Sequence, residues 1–179
     1  MVICEVNNIK ASCKVQGKNI SSKLKVFEKG RISVTKRKSN FFVLRDKFVY
    51  IIFYTGHVNI TGVRSRDTVN EARVYLSVLI KNLDLTLSQS VIDNICLSGS
   101  LSRGLNLVSF SDQLQQDCVS FCYNPRKFPG LSFPSTNNNS GTTIVFTSGK
   151  FIIVGLKHED AILDAESRLI ELIGRSTQY

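Results

Sequence analysis

Short runs of alternating apolar and polar residues fill most of this chain and predict half-buried strands. The alternation is clearest from Val6 to Val15 and from Val91 to Leu101. Further strand-like runs follow each of these segments: Arg31 to Thr35, Phe41 to Arg45, Phe48 to Tyr54 and His57 to Ile60, then Cys118 to Cys122, Gly130 to Phe133, Thr142 to Thr147 and Lys150 to Val154. Thr55-Gly56 and Ser148-Gly149 predict hairpin turns, because glycine adopts the positive φ that tight turns require.

Apolar residues at helical spacing predict one helix near the end of each half of the chain. The first is expected from about Asp67 to Lys81, with Thr68 and Glu71 as a capping box. The second is expected from about Glu159 to Ile173, with Gly174 as its C-cap. The predicted inward positions are Val69, Ala72, Leu76 and Leu79 in the first helix, and Ile162, Leu163, Leu169, Ile170 and Ile173 in the second. A shorter amphipathic segment spans Leu105 to Leu114.

The two halves repeat one unit. Ile51 to Gly62 and Ile144 to Gly155 match at a constant offset, since 146 − 53 and 155 − 62 are both 93. Antiparallel strands followed by a helix, twice, predict an α+β fold with one curved antiparallel sheet and the helices on its convex side. The predicted division is a first repeat over residues 1–83, a linker over 84–90 and a second repeat over 91–179. The stretch from Ser135 to Gly141 is expected to be an exposed turn.

Composition narrows the function classes. The chain has 179 residues and a net charge of +9, which favours a polyanionic partner. No apolar run is long enough for a membrane span, and no signal peptide is evident, which predicts an intracellular protein. Five scattered cysteines and two histidines predict buried, reduced thiols rather than a metal site. No catalytic arrangement and no cofactor motif occurs, so an enzyme is not expected.

The segment Tyr123-Asn124-Pro125-Arg126-Lys127-Phe128-Pro129-Gly130-Leu131, followed by Phe146-Thr147-Ser148-Gly149-Lys150, resembles the second repeat of the TATA-box-binding protein family. The resemblance covers nearly the whole chain and both repeats. It implies a saddle whose concave sheet binds the minor groove of DNA and bends the duplex by inserting phenylalanine wedges. It also implies a platform for transcription initiation.

The resemblance assigns DNA-contacting roles position by position. Phe128 and Phe146 match the wedge pair of the second repeat, and Phe53 matches the inner wedge of the first. Its partner follows a basic stirrup over residues 36–40, where Ser39 takes the wedge position and Phe41 lies two residues on. The sequence leaves open whether that wedge is missing or is supplied by Phe41. The remaining matches are Asn8 and Asn94 at the dyad, Thr61 after the first hairpin, Ile51, Ile144 and Ile152 on the floor, and Arg45, Thr55, Arg64, Ser148, Lys150 and Lys157 at phosphates.

Several positions depart from the family pattern. Lys10 and Asn59 introduce polarity where the family has apolar residues, and Val154 replaces a threonine. The minor groove of an A·T pair presents only acceptors, so these changes bear on target preference. Asn124 and Arg126, with Lys127 beside them, lie where the eukaryotic family carries acids that bind the B-type initiation factor. A reversed charge there predicts a different set of protein partners.

The sequence therefore predicts an A·T-preferring or sequence-tolerant minor-groove binder that acts as a transcription initiation factor. The expected partners are double-stranded DNA and initiation factors or RNA polymerase subunits, in the nucleus or a viral transcription compartment. Two alternatives remain: a protein-interaction module that keeps the saddle without bending DNA, and a binder of RNA–DNA hybrid or single strands. Strands with both faces apolar also favour a dimer through the concave face when no DNA is bound.

Overall fold

A computed structural model describes residues 2–31, 33–138 and 140–175 of the chain. The description does not extend to the side chains of Val2, Ile3, Lys36 and Arg37. The chain divides into two compact units. We call Asn8–Asp93 the N-terminal unit, and Met1–Asn7 together with Asn94–Tyr179 the C-terminal unit.

The N-terminal unit is an antiparallel sheet with two helices. Its strands lie in the order β2-β3-β4-β5-β1, and β6 pairs with the end of β1. A short 3-10 helix, Lys81–Leu83, precedes β6. The elements are β1 (Val2–Gln16, of which Asn8 onward belongs here), α1 (Ile20–Lys29), β2 (Val34–Arg37), β3 (Phe41–Arg45), β4 (Val49–Phe53), β5 (His57–Val63), α2 (Arg66–Ile80) and β6 (Thr86–Leu87).

The C-terminal unit repeats this plan. Its sheet has the order β7-β11-β10-β9-β8, and the pairs with recorded register are all antiparallel. The elements are β7 (Val91–Leu101, of which Asn94 onward belongs here), α3 (Leu107–Gln116), β8 (Cys122–Asn124), β9 (Phe128–Pro134), β10 (Thr142–Val145), β11 (Lys150–Leu156) and α4 (Asp160–Arg175).

Alternation along the strands gives each sheet a helix-covered face and an open face. In β4, Tyr50 and Ile52 are buried whereas Val49, Ile51 and Phe53 are half-buried. The Tyr50 hydroxyl donates to the backbone oxygen of Ala72 on α2 at 2.8 Å, so the buried residues face the helices. We use "open face" for the opposite side of each sheet.

The C-terminal unit has the same layering. Phe133 on β9 packs edge-on against Phe110 on α3, with 5.8 Å between ring centroids. Gln113 of α3 donates through Nε2 to the backbone oxygen of Leu172 on α4 at 2.9 Å. The two helices are thereby joined to each other as well as to the sheet.

The predicted α+β class is confirmed, and so are both hairpin turns, where Gly56 and Gly149 have φ of 91° and 80°. Two predicted strands were wrong in where they begin. The strand predicted from Arg31 begins at Val34, and Ile32 lies outside the described residues. The strand predicted from Cys118 begins at Cys122, since Cys118 has a left-handed φ of 55° just after α3. Within the predicted exposed turn, Ser135 and Thr136 are buried.

The helix ends differ from the predictions. The N-cap of α2 is Ser65, whose side chain accepts from the Thr68 amide at 3.2 Å, so the predicted Thr68–Glu71 capping box was wrong. Helix α4 continues through Gly174 to Arg175, so Gly174 is not its C-cap.

The predicted inner face of α4 was also wrong in part. The buried residues are Ala165, Leu169 and Leu172, whereas Leu163 and Ile170 are 69% and 52% exposed. The reason is that apolar residues lie on two sides of this helix, and only the side through Leu169 meets the sheet.

The cysteines are free thiols in different environments, which corrects the prediction that all are buried: Cys118 and Cys122 are exposed. Burial raises the pKa of Cys4 to about 12, with a hydrogen bond to Glu166 adding to the effect, and burial raises that of Cys13 to about 11. Both thiols therefore remain protonated until the pH approaches these values, and the thiolate is the nucleophile.

We expect iodoacetamide at pH 8 to label Cys118 and Cys122 first, as followed by peptide mass spectrometry. Equal labelling of Cys13 in the folded protein would contradict the structure.

Candidate nucleic-acid interface

The open face of the N-terminal unit is a ladder of cross-strand neighbours. One row joins Val43, Ile51, Asn59 and Ser12 from β3, β4, β5 and β1. In the neighbouring row, Phe41 pairs with Phe53, and His57 pairs with Lys14. The face is therefore apolar on β3 and β4 and becomes polar toward β5 and β1.

The open face of the C-terminal unit has the corresponding rows. Ser132, Ile144, Ile152 and Ser98 form one row across β9, β10, β11 and β7. In the next row Lys150 pairs with Ser100. Ile152 thus occupies the place that Asn59 has in the other unit, and Lys150 occupies that of His57. The floor here remains apolar farther across the sheet.

Each open face carries one pair of phenylalanine rings in contact. The centroids of Phe41 and Phe53 are 5.5 Å apart, and those of Phe128 and Phe146 are 5.9 Å apart. Phe128 is 47% exposed, and the other three rings are half-buried. Exposed aromatic pairs of this kind are unusual unless something else covers them.

The two pairs are built differently. Phe41 lies directly opposite Phe53. In the other unit Leu131 pairs with Val145, so Gly130 and Phe146 are the next opposing residues. A Cβ at Gly130 would lie 2.7 Å from the Phe128 ring and 3.0 Å from the Phe146 ring. Phe41 therefore has the sheet position that Gly130 has in the C-terminal unit. Its ring fills the space that is filled there by the ring of Phe128, two residues before Gly130.

Ser39 lies in a turn rather than in a strand. The amide of Lys38 donates to the backbone oxygen of Phe41 at 2.8 Å, which makes Ser39 and Asn40 the tip of the β2–β3 hairpin. Of the two residues that the sequence offered as partner of Phe53, the structure thus brings Phe41 to that ring. The basic side chains of Lys36 and Arg37 in the same hairpin lie outside the described part.

Asn8 and Asn94 are held in the same way. The Oδ1 of Asn8 accepts from the Gly62 amide at 2.7 Å, and the Oδ1 of Asn94 accepts from the Gly155 amide at 2.7 Å. The Thr61 hydroxyl also donates to Asn8 at 3.3 Å, while Nδ2 of Asn94 donates to the Cys96 sulfur at 3.0 Å. With Oδ1 occupied, the NH2 group is the donor of each amide, and that of Asn94 has one hydrogen besides the one donated to Cys96.

Acidic residues on the open faces were not anticipated from the sequence. Asp93 accepts from the Ser12 hydroxyl at 3.0 Å and lies 3.7 Å from Nζ of Lys10. In the C-terminal unit, exposed Glu5 lines a depression of about 660 Å³ with Phe146, Lys150 and Ile152. The sequence did contain a signal for these positions. Alternation along a strand places Lys10 and Ser12 on one face, and the same pattern shows which residues of the neighbouring strands share that face.

The predicted phosphate-contacting residues are all exposed: Arg45, Thr55, Arg64, Ser148, Lys150 and Lys157. Asn124 ends β8, and Arg126 and Lys127 lie in the turn before β9, where the Lys127 amide donates to the Asn124 oxygen at 2.9 Å; all three side chains are exposed. The cations thus project from strand ends and turns, while the apolar residues Ile51, Ile144, Ile152 and Val154 stay half-buried on the open faces.

The described residues also bear on other kinds of site. Among them, no group of three or more His, Cys, Asp or Glu side chains is placed to hold a metal ion. Within the same residues, no helix is both long and apolar enough to cross a membrane.

Comparison with known proteins gives consistent similarities. A family profile described as "Transcription factor TFIID (or TATA-binding protein, TBP)" matches residues 89–175. TATA-box-binding protein B of Halobacterium salinarum is 32% identical over 133 residues, which are 70% of this chain and 70% of that protein. The TATA-box-binding protein of Natronomonas pharaonis is 28% identical over 127 residues, which are 69% of this chain and 66% of that protein.

A solved structure has the same fold. The structure of Methanococcus jannaschii TBP aligns with a TM-score of 0.74 and covers 96% of this chain and 98% of that chain, at 24% sequence identity. The arrangement of strands and helices in the two proteins therefore corresponds over almost their full lengths.

Proposed function

The chain belongs to the TATA-box-binding protein family, whose members are transcription factors, and from this we propose that it binds the minor groove of double-stranded DNA and bends the duplex during transcription initiation. The observation that carries the proposal is the pair of contacting phenylalanine rings on each open face. Phe41 with Phe53 and Phe128 with Phe146 would enter base steps as apolar wedges.

The surroundings of the rings support this use. Wedge insertion unstacks base steps at a cost of a few kcal/mol each, which apolar contact and phosphate neutralisation offset. The half-buried isoleucines beside the rings supply the contact with sugars and bases. The exposed cations at the strand ends and turns supply the phosphate contacts.

The donor groups favour A·T pairs as targets. The minor groove of an A·T pair presents acceptors only, and guanine adds a donor in G·C pairs. Asn8 and Asn94 present NH2 donors because a glycine amide occupies each Oδ1. These two side chains would donate to thymine O2 or adenine N3.

The two halves would contribute unequally. Lys10 is paired with Asp93, and Asn59 shares a hydrogen bond of 3.0 Å with His57, so the N-terminal floor is polar and partly neutralised. Ile152 and Cys96 stand at the corresponding places in the C-terminal unit. We expect a weaker sequence preference at the end of the site that the N-terminal unit covers.

Salt dependence tests DNA binding directly. Each phosphate contact contributes roughly −0.9 to the slope of log affinity against log salt concentration. The four cations among the predicted contact residues, Arg45, Arg64, Lys150 and Lys157, give an expected slope of about −3.6 in fluorescence anisotropy titrations on an A·T-rich duplex. A Lys150→Gln variant should lower the magnitude of that slope by about one.

A footprint on the open face distinguishes the proposed site from nonspecific binding of a basic protein. Cys96 is half-buried on the open face, so bound duplex should slow its alkylation, while exposed Cys118, which follows α3, serves as the internal control. Equal protection of these two thiols, or a flat salt slope, would contradict the proposed interface.

A protein-interaction role without duplex bending is the second candidate. Glu5 and Asp93 favour it, because carboxylates on the open face repel phosphates. RNA–DNA hybrid or single-stranded nucleic acid remains a further predicted ligand. Binding of duplex, hybrid and single strand across a salt series separates these candidates, and duplex binding without bending would select the interaction module.

The proposed protein partners are initiation factors or RNA polymerase subunits. The cationic turn with Arg126 and Lys127 would contact one of them through acidic residues. The relatives named above are archaeal, so they give no support to the predicted nuclear or viral location, which stays a prediction. A dimer through the open faces in the absence of DNA is likewise a proposal.

A further inference from the structure

Helix α4 has an outer surface that the sheet does not explain. Its buried stripe is Ala165, Leu169 and Leu172, yet Leu163 and Ile170 are 69% and 52% exposed. An α-helix turns about 100° per residue, so these two residues lie one above the other, two turns apart, on the side away from the core. Single exposed apolar residues are common, but an aligned pair of this size is typical of a surface that contacts another molecule.

The rest of the outer surface is ordered as well. Ser167 and Gly174 lie beside the apolar pair, and no atom of the described residues is within 4 Å of the place where a Cβ on Gly174 would be. Beyond this row of small residues lie Asp160, Asp164 and Glu171, all exposed. Helical spacing therefore gives the outer surface of α4 an apolar edge, a central row of small residues and an acidic edge.

The acidity is local. Helices α3 and α4 together carry the acids Asp112, Asp160, Asp164, Glu166 and Glu171 against the bases Arg168 and Arg175, in a chain whose net charge is +9. Glu171 is hydrogen-bonded to Arg175. Polyanions such as DNA are repelled by this surface, and a cationic protein segment is attracted.

A cavity adjoins the acidic edge. It has a volume of about 360 Å³ and is lined by the turn at Thr136, Asn137 and Asn138 and by Asp164, Ser167, Arg168 and Glu171 of α4. The Nε of Arg168 is buried and has no hydrogen-bond acceptor among the described residues. The cavity is large enough for a long side chain, and Asp164 and Glu171 in its lining favour one that carries a positive charge.

We propose that the outer face of α4 binds a basic, amphipathic helical segment of a partner protein. Apolar side chains of the segment cover Leu163 and Ile170, its backbone approaches over Ser167 and Gly174, and a lysine or arginine enters the cavity beside Asp164. Helix-in-groove recognition uses this combination of apolar anchors at helical spacing and flanking charges. The surface lies on the helix side of the C-terminal unit, so it does not depend on the open-face function proposed above.

The probe for this proposal is a labelled 18-residue peptide with leucines along one helical face and lysines on the flanks, and its partner in which glutamates replace the lysines. We expect the lysine peptide to bind the full chain at least about tenfold more tightly in fluorescence anisotropy. Leu163→Ser with Ile170→Ser should weaken it by about tenfold, because both anchors are lost.

Helix α2 supplies the matched control. Val74 and Val78 form another exposed apolar pair, 51% and 65% exposed, without an acidic edge as extended as that of α4. Val74→Ser with Val78→Ser should change the affinity for the lysine peptide by less than about twofold. Equal losses from both double variants would overturn the proposal, since the peptide would then bind exposed apolar residues wherever they occur.

A charge reversal keeps the test independent of folding defects. Asp164→Lys should weaken the lysine peptide and strengthen the glutamate peptide, a gain that a damaged protein does not produce. If Asp164→Lys leaves the preference for lysine unchanged, the proposal fails. Sedimentation velocity supplies the last outcome: self-association of the wild type that Leu163→Ser with Ile170→Ser abolishes would assign this face to a second copy and overturn it.

Discussion

Phe41→Ala is expected to lower the affinity for A·T-rich duplex by roughly 10- to 100-fold and to reduce its bending. The ring lies directly opposite Phe53, with 5.5 Å between centroids, and it completes the phenylalanine pair on the open face of the N-terminal unit. Loss of one buried Phe side chain from a complex costs about 1.5–3 kcal/mol, and each 1.4 kcal/mol is a factor of ten. Anisotropy gives the affinity, and energy transfer between dyes at the duplex ends gives the bend.

The neighbouring residue provides the matched control for stability. Phe42 is fully buried on the helix-covered face, where its ring contacts Phe27. Phe42→Ala should cost about 3–5 kcal/mol in the free energy of unfolding, whereas half-buried Phe41→Ala should cost about 1–2 kcal/mol. Urea unfolding followed by circular dichroism measures both values. A large stability loss from Phe41→Ala with unchanged DNA affinity would mean that Phe41 is a core residue.

Ser39→Phe tests which position serves as the wedge. Ser39 is at the tip of the β2–β3 hairpin, whereas Phe128 begins a strand. A phenylalanine at the tip would extend from the turn, and the place over β3 is already filled by Phe41. We therefore expect little change in bending from Ser39→Phe. A marked gain, together with no effect of Phe41→Ala, would show that the N-terminal unit lacks its wedge in the native protein.

The fold was predictable because its signals are local and repeated. Alternation places Ile52 inward and Ile51 on the open face, and the glycines after Thr55 and Ser148 fix the hairpins. The failures have physical causes. A strand was predicted from Cys118, but this residue has left-handed backbone geometry just after α3. Helix α4 has apolar residues on two sides, and its sequence does not show which side meets the sheet.

The candidate site was predictable in its members but not in its pairings. The sequence offered both Ser39 and Phe41, and only cross-strand register shows that Phe41 takes the place of Gly130. Register is a long-range property, and pattern within one strand does not determine it. The acids Glu5 and Asp93 were missed for the same reason, because their meaning depends on which cations and strands lie beside them.

Gly149→Ala is expected to be the most damaging glycine substitution near the site, at least about 3 kcal/mol worse than Gly62→Ala. Both glycines have positive φ, 80° and 78°, so both alanines pay the left-handed penalty of about 1–2 kcal/mol. The difference is space. A Cβ at Gly149 would lie 2.2 Å from the backbone oxygen of Arg103, whereas one at Gly62 would have no atom of the described part of the chain within 4 Å.

The turn at Gly149 cannot relieve this clash cheaply. Its amide donates to the Phe146 oxygen at 2.9 Å, and its oxygen accepts from the Leu101 amide at 2.9 Å. Movement away from Arg103 therefore breaks backbone hydrogen bonds and shifts Phe146, Ser148 and Lys150 together. Urea unfolding should show the difference in the free energy of unfolding. Under conditions in which both variants are fully folded, DNA affinity should fall for Gly149→Ala but not for Gly62→Ala. Equal free energies of unfolding for the two variants would mean that the Arg103 segment yields freely, and that the hairpin carrying Phe146 is not held by its backbone contacts.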